Sequence, residues 1–496
     1  MIDKINKFKD LQKKLNAYRY FFWLMNWDQE TEMPKMGLDF QLSNYQILME
    51  EAYKLETDKE YTDLLEELYL NKDTLDDDLK VEIKHLYKSY QIIKVVPKNE
   101  YLEYDMLIQG ASPIWANAKK NNDFALWSET LEKIVQFQRK LTKYLETDDK
   151  KGYDILLDFY EDDMTVEEYD EFFDQLRTQL VPFVLEKTAK KRKINRKFSN
   201  KIFDINKQKE LSDYLLDVLH FDKNRGLLKT SVHPFTSGLA SVDTRITTAY
   251  HENDLLSNIF SVVHETGHAI YEQQNDKRFD GTNLHGGASM GIHESQSRLY
   301  ENMIARSYEF ISTHFQKIAE LFPKQFKNVS VDEFYRFVNK TERSLIRIEA
   351  DELTYPLHIM VRYELEKGLI SGKIKVKDLP KKWNQLMYRY LKIKPKTDSE
   401  GVLQDIHWAG GSFGYFPTYA LGTAYAAQIY HKMDQDINIK KQIKENRIDN
   451  INEWLKEHIH KYGASKTPKE IMLIATNEPF FASYYVNYLK DKYKDL

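Results

Sequence analysis

The chain has 496 residues, of which 42% are hydrophobic and 30% charged, the balance of an ordinary globular protein rather than of a disordered or membrane-embedded one. A formal net charge of -5 offers no basic face to nucleic acid or to an anionic membrane. With no cysteine, disulfides, thiolate metal sites and a cysteine nucleophile are excluded, so any metal must be held by His, Asp or Glu.

The first 27 residues scatter charges among their apolar positions and lack the unbroken apolar core of a signal peptide. No run approaches the about 18 apolar residues of a membrane span, so a cytoplasmic protein is expected. Glycine and proline are scarce, at 18 and 12 residues, and apolar residues recur at spacings of three and four, which predicts a mainly helical chain. Helices are expected over 5–25, 40–70, 75–95, 125–146 and 166–188, separated by short polar turns such as Asn71-Lys72-Asp73. The stretch from Lys187 to Lys209 is rich in Lys and Arg but balanced by acidic neighbours, and reads as an exposed connection rather than a nucleic-acid arm. No regular repeat or independent unit stands out, so 1–496 is expected to form one domain. Residues 231–250 break the helical pattern. Their β-branched and aromatic residues, with Gly238 in the middle, predict two short strands joined by a turn.

After Asp254, a candidate N-cap, a helix is expected with Leu256, Ile259, Phe260, Val263, Ile270 and Tyr271 along its buried stripe. Within it stands His264-Glu265-Thr266-Gly267-His268. Residues four apart lie one helical turn above each other, so both imidazoles face one side and can share a cation. Glu265 lies beside them, where a carboxylate can take a proton from a metal-bound water. Gly267, at a cost of about 1 kcal/mol inside a helix, suggests that something packs closely there. Catalytic zinc needs a third protein ligand and one open position. Glu294, in the first turn of a helix expected to begin near His293, is the candidate; spacing alone leaves it equally able to serve its helix N-terminus electrostatically. His285 and His293 are rival ligands, or donors to the ligands.

These residues resemble the thermostable carboxypeptidase Taq family of metallocarboxypeptidases, M32. The resemblance runs through WDQETEMPKMG from Trp27, YDILLDFYEDDMT from Tyr153, His233-Pro234-Phe235 and the Asp-x-Arg-x-Thr run at Asp243, Arg245 and Thr247. It continues through HETGHAIYEQ from His264, HESQSRLYEN from His293, IRIEADELTYPLHIMVRYELE from Ile346 and GVLQDIHWAGGSFGYFPTYALG from Gly401. Tyr300 stands where the family pattern suggests Trp, and Asp162-Asp163 replaces a Pro-Gly-like turn.

The resemblance implies a neurolysin-like, clam-shaped helical fold with a deep groove and a small β-sheet near the metal, its two helical halves flanking the groove. It implies one divalent metal per chain, Zn2+ or alternatively Co2+, held by His264, His268 and Glu294, and a homodimer. The activity implied is removal of single amino acids from peptides with a free C-terminus, with broad side-chain tolerance. An endo-oligopeptidase or dipeptidyl carboxypeptidase on the same scaffold is the alternative, and a silent peptide-binding scaffold is a rival of another class. Glu265 is then the general base, and His407 with Tyr419, ahead of Tyr415, the oxyanion donors. Arg347 is assigned to the peptide carboxylate, which suits a planar guanidinium. Arg245 with Asp243 either closes the end of the groove or pairs to hold the strands, and His233 either shapes the groove or supports its loop. Asp351, Glu352, His358, Gln404 and Asp405 are candidates for orienting ligands or substrate.

Overall fold

The computed structural model describes residues 1–189, 194, 196, 198–199 and 201–496. The chain is mainly helical with one small sheet, as expected. The first helix runs Ile2–Thr31, longer than its apolar pattern suggested. The expected 40–70 helix is two, Leu38–Glu56 and Lys59–Leu70, because the Asp58 side chain accepts from the Glu60 amide and starts a new N-terminus. Helices follow at Asp77–Val95 and Phe124–Tyr144 where the pattern placed them. Lys98–Asn121 between them is a helix that went unforeseen, with Pro113 inside it. The 166–188 helix is present but widens into a π-helical stretch over Leu176–Leu180. The basic stretch falls partly outside the described residues, and its end belongs to the helix Ile205–Val218.

The sheet has three strands, β1 (Gly226–Thr230), β2 (Thr236–Ala240) and β3 (Asp243–Thr248), in the order β1-β3-β2. β2 and β3 form the expected hairpin, antiparallel with Thr236 opposite Ile246. Gly238 lies inside β2, and the turn falls at residues 241–242. A Cβ at Gly238 would come 2.3 Å from a carboxylate oxygen of Glu272, so glycine here lets the strand lie against the next helix. β1, not anticipated, pairs in parallel with β3.

Two apolar clusters form. Phe8, Leu15, Leu64, Leu68, Ile83 and Leu86 gather the N-terminal helices around a small core of their own. A much larger core begins at Val96 and runs to Tyr493. Both family departures are accommodated: Asp163 adopts φ 61°, the left-handed conformation a glycine-like turn requires, and the Tyr300 hydroxyl donates to Asn452 at 2.5 Å.

Candidate active site

The helix Leu255–Gln273 starts at Asp254, whose side chain accepts from the Ser257 amide, and lies against β2 and β3. Across it runs the helix Met290–Arg298, with Ser289 as N-cap. This helix starts earlier than expected, so Glu294 is in its second turn. The alternative that Glu294 merely serves a helix N-terminus therefore loses its basis, because that effect fades within the first turn. A Cβ at Gly267 would stand 2.8 Å from the Ser297 Cα and 2.9 Å from the Gln296 carbonyl oxygen. Glycine is what allows the two backbones to touch, which accounts for its place in HETGH. On the other side, Gly422 of the helix Phe416–Ile437 would put a Cβ 2.9 Å from the Glu294 Cβ. Three helices thus cross in contact and fix Glu294 between them.

The result is a cluster of three ligand atoms, one each from His264, His268 and Glu294, all within 4.8 Å of one another. One oxygen of Glu294 lies 3.4 Å from His268 Nε2 and 3.7 Å from His264 Nε2. Those spans are long for hydrogen bonds but match the edge of a tetrahedron of ligands around zinc, about 3.4 Å for bonds near 2.1 Å. The outer nitrogens are occupied. His264 Nδ1 lies 3.0 Å from Glu301, and His268 Nδ1 lies 2.6 Å from His293 Nδ1, whose Nε2 lies 3.1 Å from Glu272. This chain assigns the protons outward and leaves both Nε2 lone pairs facing the gap. Burial pushes the His268 imidazole down to about 3, so it is neutral there. Burial opposes charge on Glu294, but Arg298 and the two imidazoles outweigh it and hold its carboxyl well below the usual range. Arg298 Nε donates to its other oxygen at 2.7 Å. Burial opposes charge on His264, but Glu294 and Glu301 outweigh it and raise its pKa, so a cation would there displace a proton. An anionic oxygen and two imidazole nitrogens converging on a gap of this size fit a divalent cation.

Glu265 is buried beside the cluster. The Thr236 hydroxyl donates to one of its carboxylate oxygens at 2.7 Å, and burial raises its pKa. A second group gathers Arg347, His407, Tyr415 and Tyr419. His407 Nε2 lies 3.3 Å from the Tyr419 hydroxyl, the Tyr415 and Tyr419 rings meet edge to face at 5.0 Å, and the Arg347 guanidinium lies 5.2 Å from the Tyr419 ring centre. Tyr355 links the two groups: its hydroxyl accepts from Arg347 at 3.0 Å, and Arg298 lies over its ring at 5.1 Å.

Not every expected residue faces this centre. Asp351 accepts the amides of Glu342, Leu353 and Thr354 and is a turn-former. Glu352 takes Tyr488, Lys492 and Tyr493 of the last helix. His358 is fully buried, with neither ring nitrogen hydrogen-bonded among the described residues. Gln404 and Asp405 do hold Arg347: Gln404 accepts its amide at 2.9 Å and Asp405 its Nε at 3.0 Å. Asp405 also binds Arg362. Two guanidinium groups therefore share one carboxylate, leaving a positive excess. Of the rival ligands, His293 backs His268, and His285 stands 3.8 Å from Asp280, outside the cluster. Arg245 grips Asp243 through two 2.8 Å bonds and stacks on Trp23 and Trp27; His233 is exposed. The residues sequence reasoning passed over are Glu301, Arg298, Thr236 and Tyr355. Arg298 and Glu301 follow Glu294 by four and seven residues, the spacing of one helical face, which was the available signal.

An HExxH helix backed by a sheet strand and crossed by a glutamate-bearing helix defines a metallopeptidase. The family model for carboxypeptidase Taq (M32) metallopeptidases matches residues 7–493, and the chain belongs to that family of metallocarboxypeptidases. It is 42% identical to carboxypeptidase 1 of Bacillus subtilis over 99% of this chain and 98% of that protein. It is 35% identical to thermostable carboxypeptidase 1 of Pyrococcus furiosus, over 95% and 94% of the two. Among solved structures, Trypanosoma cruzi metallocarboxypeptidase 1 superposes with a TM-score of 0.94 at 31% identity, covering 100% of both chains.

Proposed function

We propose that this metallocarboxypeptidase removes amino acids one at a time from free peptide C-termini, with broad side-chain tolerance, using one zinc ion held by His264, His268 and Glu294. The observation that carries the reading is the pair of inward-facing Nε2 atoms opposite one oxygen of Glu294. A cation there supplies Lewis acidity and lowers the pKa of water towards about 7. Glu265 accepts the proton and delivers it to the departing amine; Thr236 keeps one of its oxygens engaged and leaves the other free to exchange. His407 and Tyr419 act as neutral donors to the developing oxyanion: burial holds His407 down at about 4 and Tyr419 well above its usual range, so neither is charged. The positive excess at Arg347 and Arg362 receives the substrate carboxylate through Arg347. Arg245, tied to Asp243 and stacked on Trp23 and Trp27, is assigned to closing the far end of the groove, with His233 at its rim. The groove itself lies between the N-terminal helices and the larger body of a single domain.

The proposal includes a cytoplasmic homodimer, an assignment that comes from the family resemblance. No described helix is long and apolar enough to cross a membrane. Incubation with a defined peptide, followed by mass analysis of products, tests the activity. Stepwise loss of single C-terminal residues, together with poor cleavage of the amidated peptide, is expected. Release of dipeptides or internal fragments overturns the reading in favour of an oligopeptidase.

A further inference from the structure

Residues 153–161, the short helix Tyr153–Asp158 and the turn after it, touch both loops that deliver the site. At one end, Glu161 is fully buried with no cationic partner among the described residues. It accepts three bonds instead: from the Ser289 hydroxyl at 2.9 Å, the Gly291 amide at 2.9 Å and the Tyr425 hydroxyl at 3.1 Å. Ser289 caps the Glu294 helix and Gly291 belongs to its first turn, whereas Tyr425 lies on the Tyr419 helix. A Cβ at Gly291 would stand 2.5 Å from a Glu161 oxygen, so glycine is what lets the carboxylate reach that helix terminus. The carbonyl of Tyr160 adds a bond from the Met290 amide at 3.2 Å.

At the other end, the Tyr153 hydroxyl donates to Glu366 at 2.5 Å. Glu366, also fully buried, accepts the Trp408 indole at 2.7 Å and the Gly414 amide at 2.9 Å. Gly414, at φ 95°, lies so close to the same short helix that a Cβ would stand 2.3 Å from the Leu156 carbonyl oxygen. The Tyr160 ring meets Tyr415 edge to face at 5.1 Å. A buried carboxyl without a cation is costly unless each oxygen is hydrogen-bonded, and an apolar residue would fill the same space more cheaply. What the carboxyls add is direction.

We infer that residues 153–161 form a brace that sets the spacing between the metal-ligand helix and the tyrosine-bearing loop. Glu161 is a positioning residue for Glu294, and Tyr153 with Glu366 positions Tyr415 and Tyr419. The inference rests on the metal site proposed above, so its test reads metal binding directly. Metal-free protein is titrated with Co2+, whose visible spectrum reports coordination geometry, for wild type and for Glu161→Ala, Tyr425→Phe and Tyr153→Phe.

Glu161→Ala should weaken Co2+ binding about ten-fold or more, in the range of lost supporting contacts at metal sites, and alter the spectrum. Tyr425→Phe, which removes one donor and leaves the ring, should shift both in the same direction by a smaller factor, and carries the test if Glu161→Ala does not fold. Tyr153→Phe should keep Co2+ affinity and spectrum while lowering kcat with KM unchanged. Wild-type affinity and spectrum in both Glu161→Ala and Tyr425→Phe overturn the brace, as does a Tyr153→Phe variant that loses metal instead of turnover. A wild-type protein that takes up no Co2+ removes the metal site itself, a failure distinguishable from that of the brace.

Discussion

The carboxylate of Glu301 stands 3.0 Å from Nδ1 of His264, and that contact decides which nitrogen the imidazole turns inward. Glu301 is itself held by Arg298 at 2.9 Å and Arg306 at 3.0 Å, which override its burial and keep it ionised, well below the usual carboxylate range. An ionised acceptor favours the Nδ1–H tautomer and makes Nε2 the ligand atom. Glu301→Gln should therefore weaken zinc affinity by about 10- to 100-fold, the usual effect of losing such a partner. Competition with a chromogenic chelator measures it, and unchanged affinity would show that the bond does not orient the ligand.

Glu265→Gln preserves shape and the bond from Thr236 but cannot take a proton. It should retain one zinc per chain while losing about 10²- to 10⁴-fold in kcat, the typical contribution of a positioned base. Metal analysis and steady-state kinetics on one preparation separate the two effects. Normal turnover would exclude Glu265 as the base.

Arg347 presents a fork that lysine cannot reproduce. Arg347→Lys should reduce kcat/KM for a free-acid peptide by about ten- to a hundred-fold, since hydrogen bonds to charged groups contribute about 1.5–3 kcal/mol. The amidated peptide, already a poor substrate, should change little. Equal losses on both peptides would indicate a general disturbance.

The crossing at Gly267 leaves no space for a methyl group, with the Ser297 Cα 2.8 Å away. Gly267→Ala should gain a little helix propensity and lose more to overpacking, for a net cost of about 1–3 kcal/mol. Because the displaced backbone carries Glu294, zinc affinity should fall together with the denaturation midpoint. A stable variant with intact affinity would mean that the helices can slide apart without consequence.

What the sequence disclosed follows from range. HETGH lies within one helical turn, so its geometry is fixed by local rules; the hairpin of β2 and β3 and the cap at Asp254 are equally local. Glu294 needed the family resemblance, because its approach depends on glycines at 267 and 422, one of them far along the chain. The helix Lys98–Asn121 was missed because Gly110 and Pro113 interrupt its pattern, and tertiary packing sustains it regardless. β1 has only five residues and exists through its parallel pairing with β3. Asp351 and Glu352 were misjudged for a related reason: a carboxylate in a promising block can serve its own turn or a distant helix, and composition does not say which.

The separate core of the N-terminal helices has a mechanical corollary. These helices meet the larger body through Asn16 on the Gly281 carbonyl, Arg19 and Glu82 on Asn283, Trp23 on Ser237, Glu32 on Lys229 and the stacking of Trp23 and Trp27 on Arg245. Beneath these contacts Ile92 and Val95 of the helix Asp77–Val95 pack on the larger core, and the Trp27 ring meets Phe235 edge to face at 5.7 Å, so the seam is apolar as well as polar. Water can replace the polar stitches of that seam at little net cost, whereas its apolar patches tie the jaw nearest the amino terminus to the body.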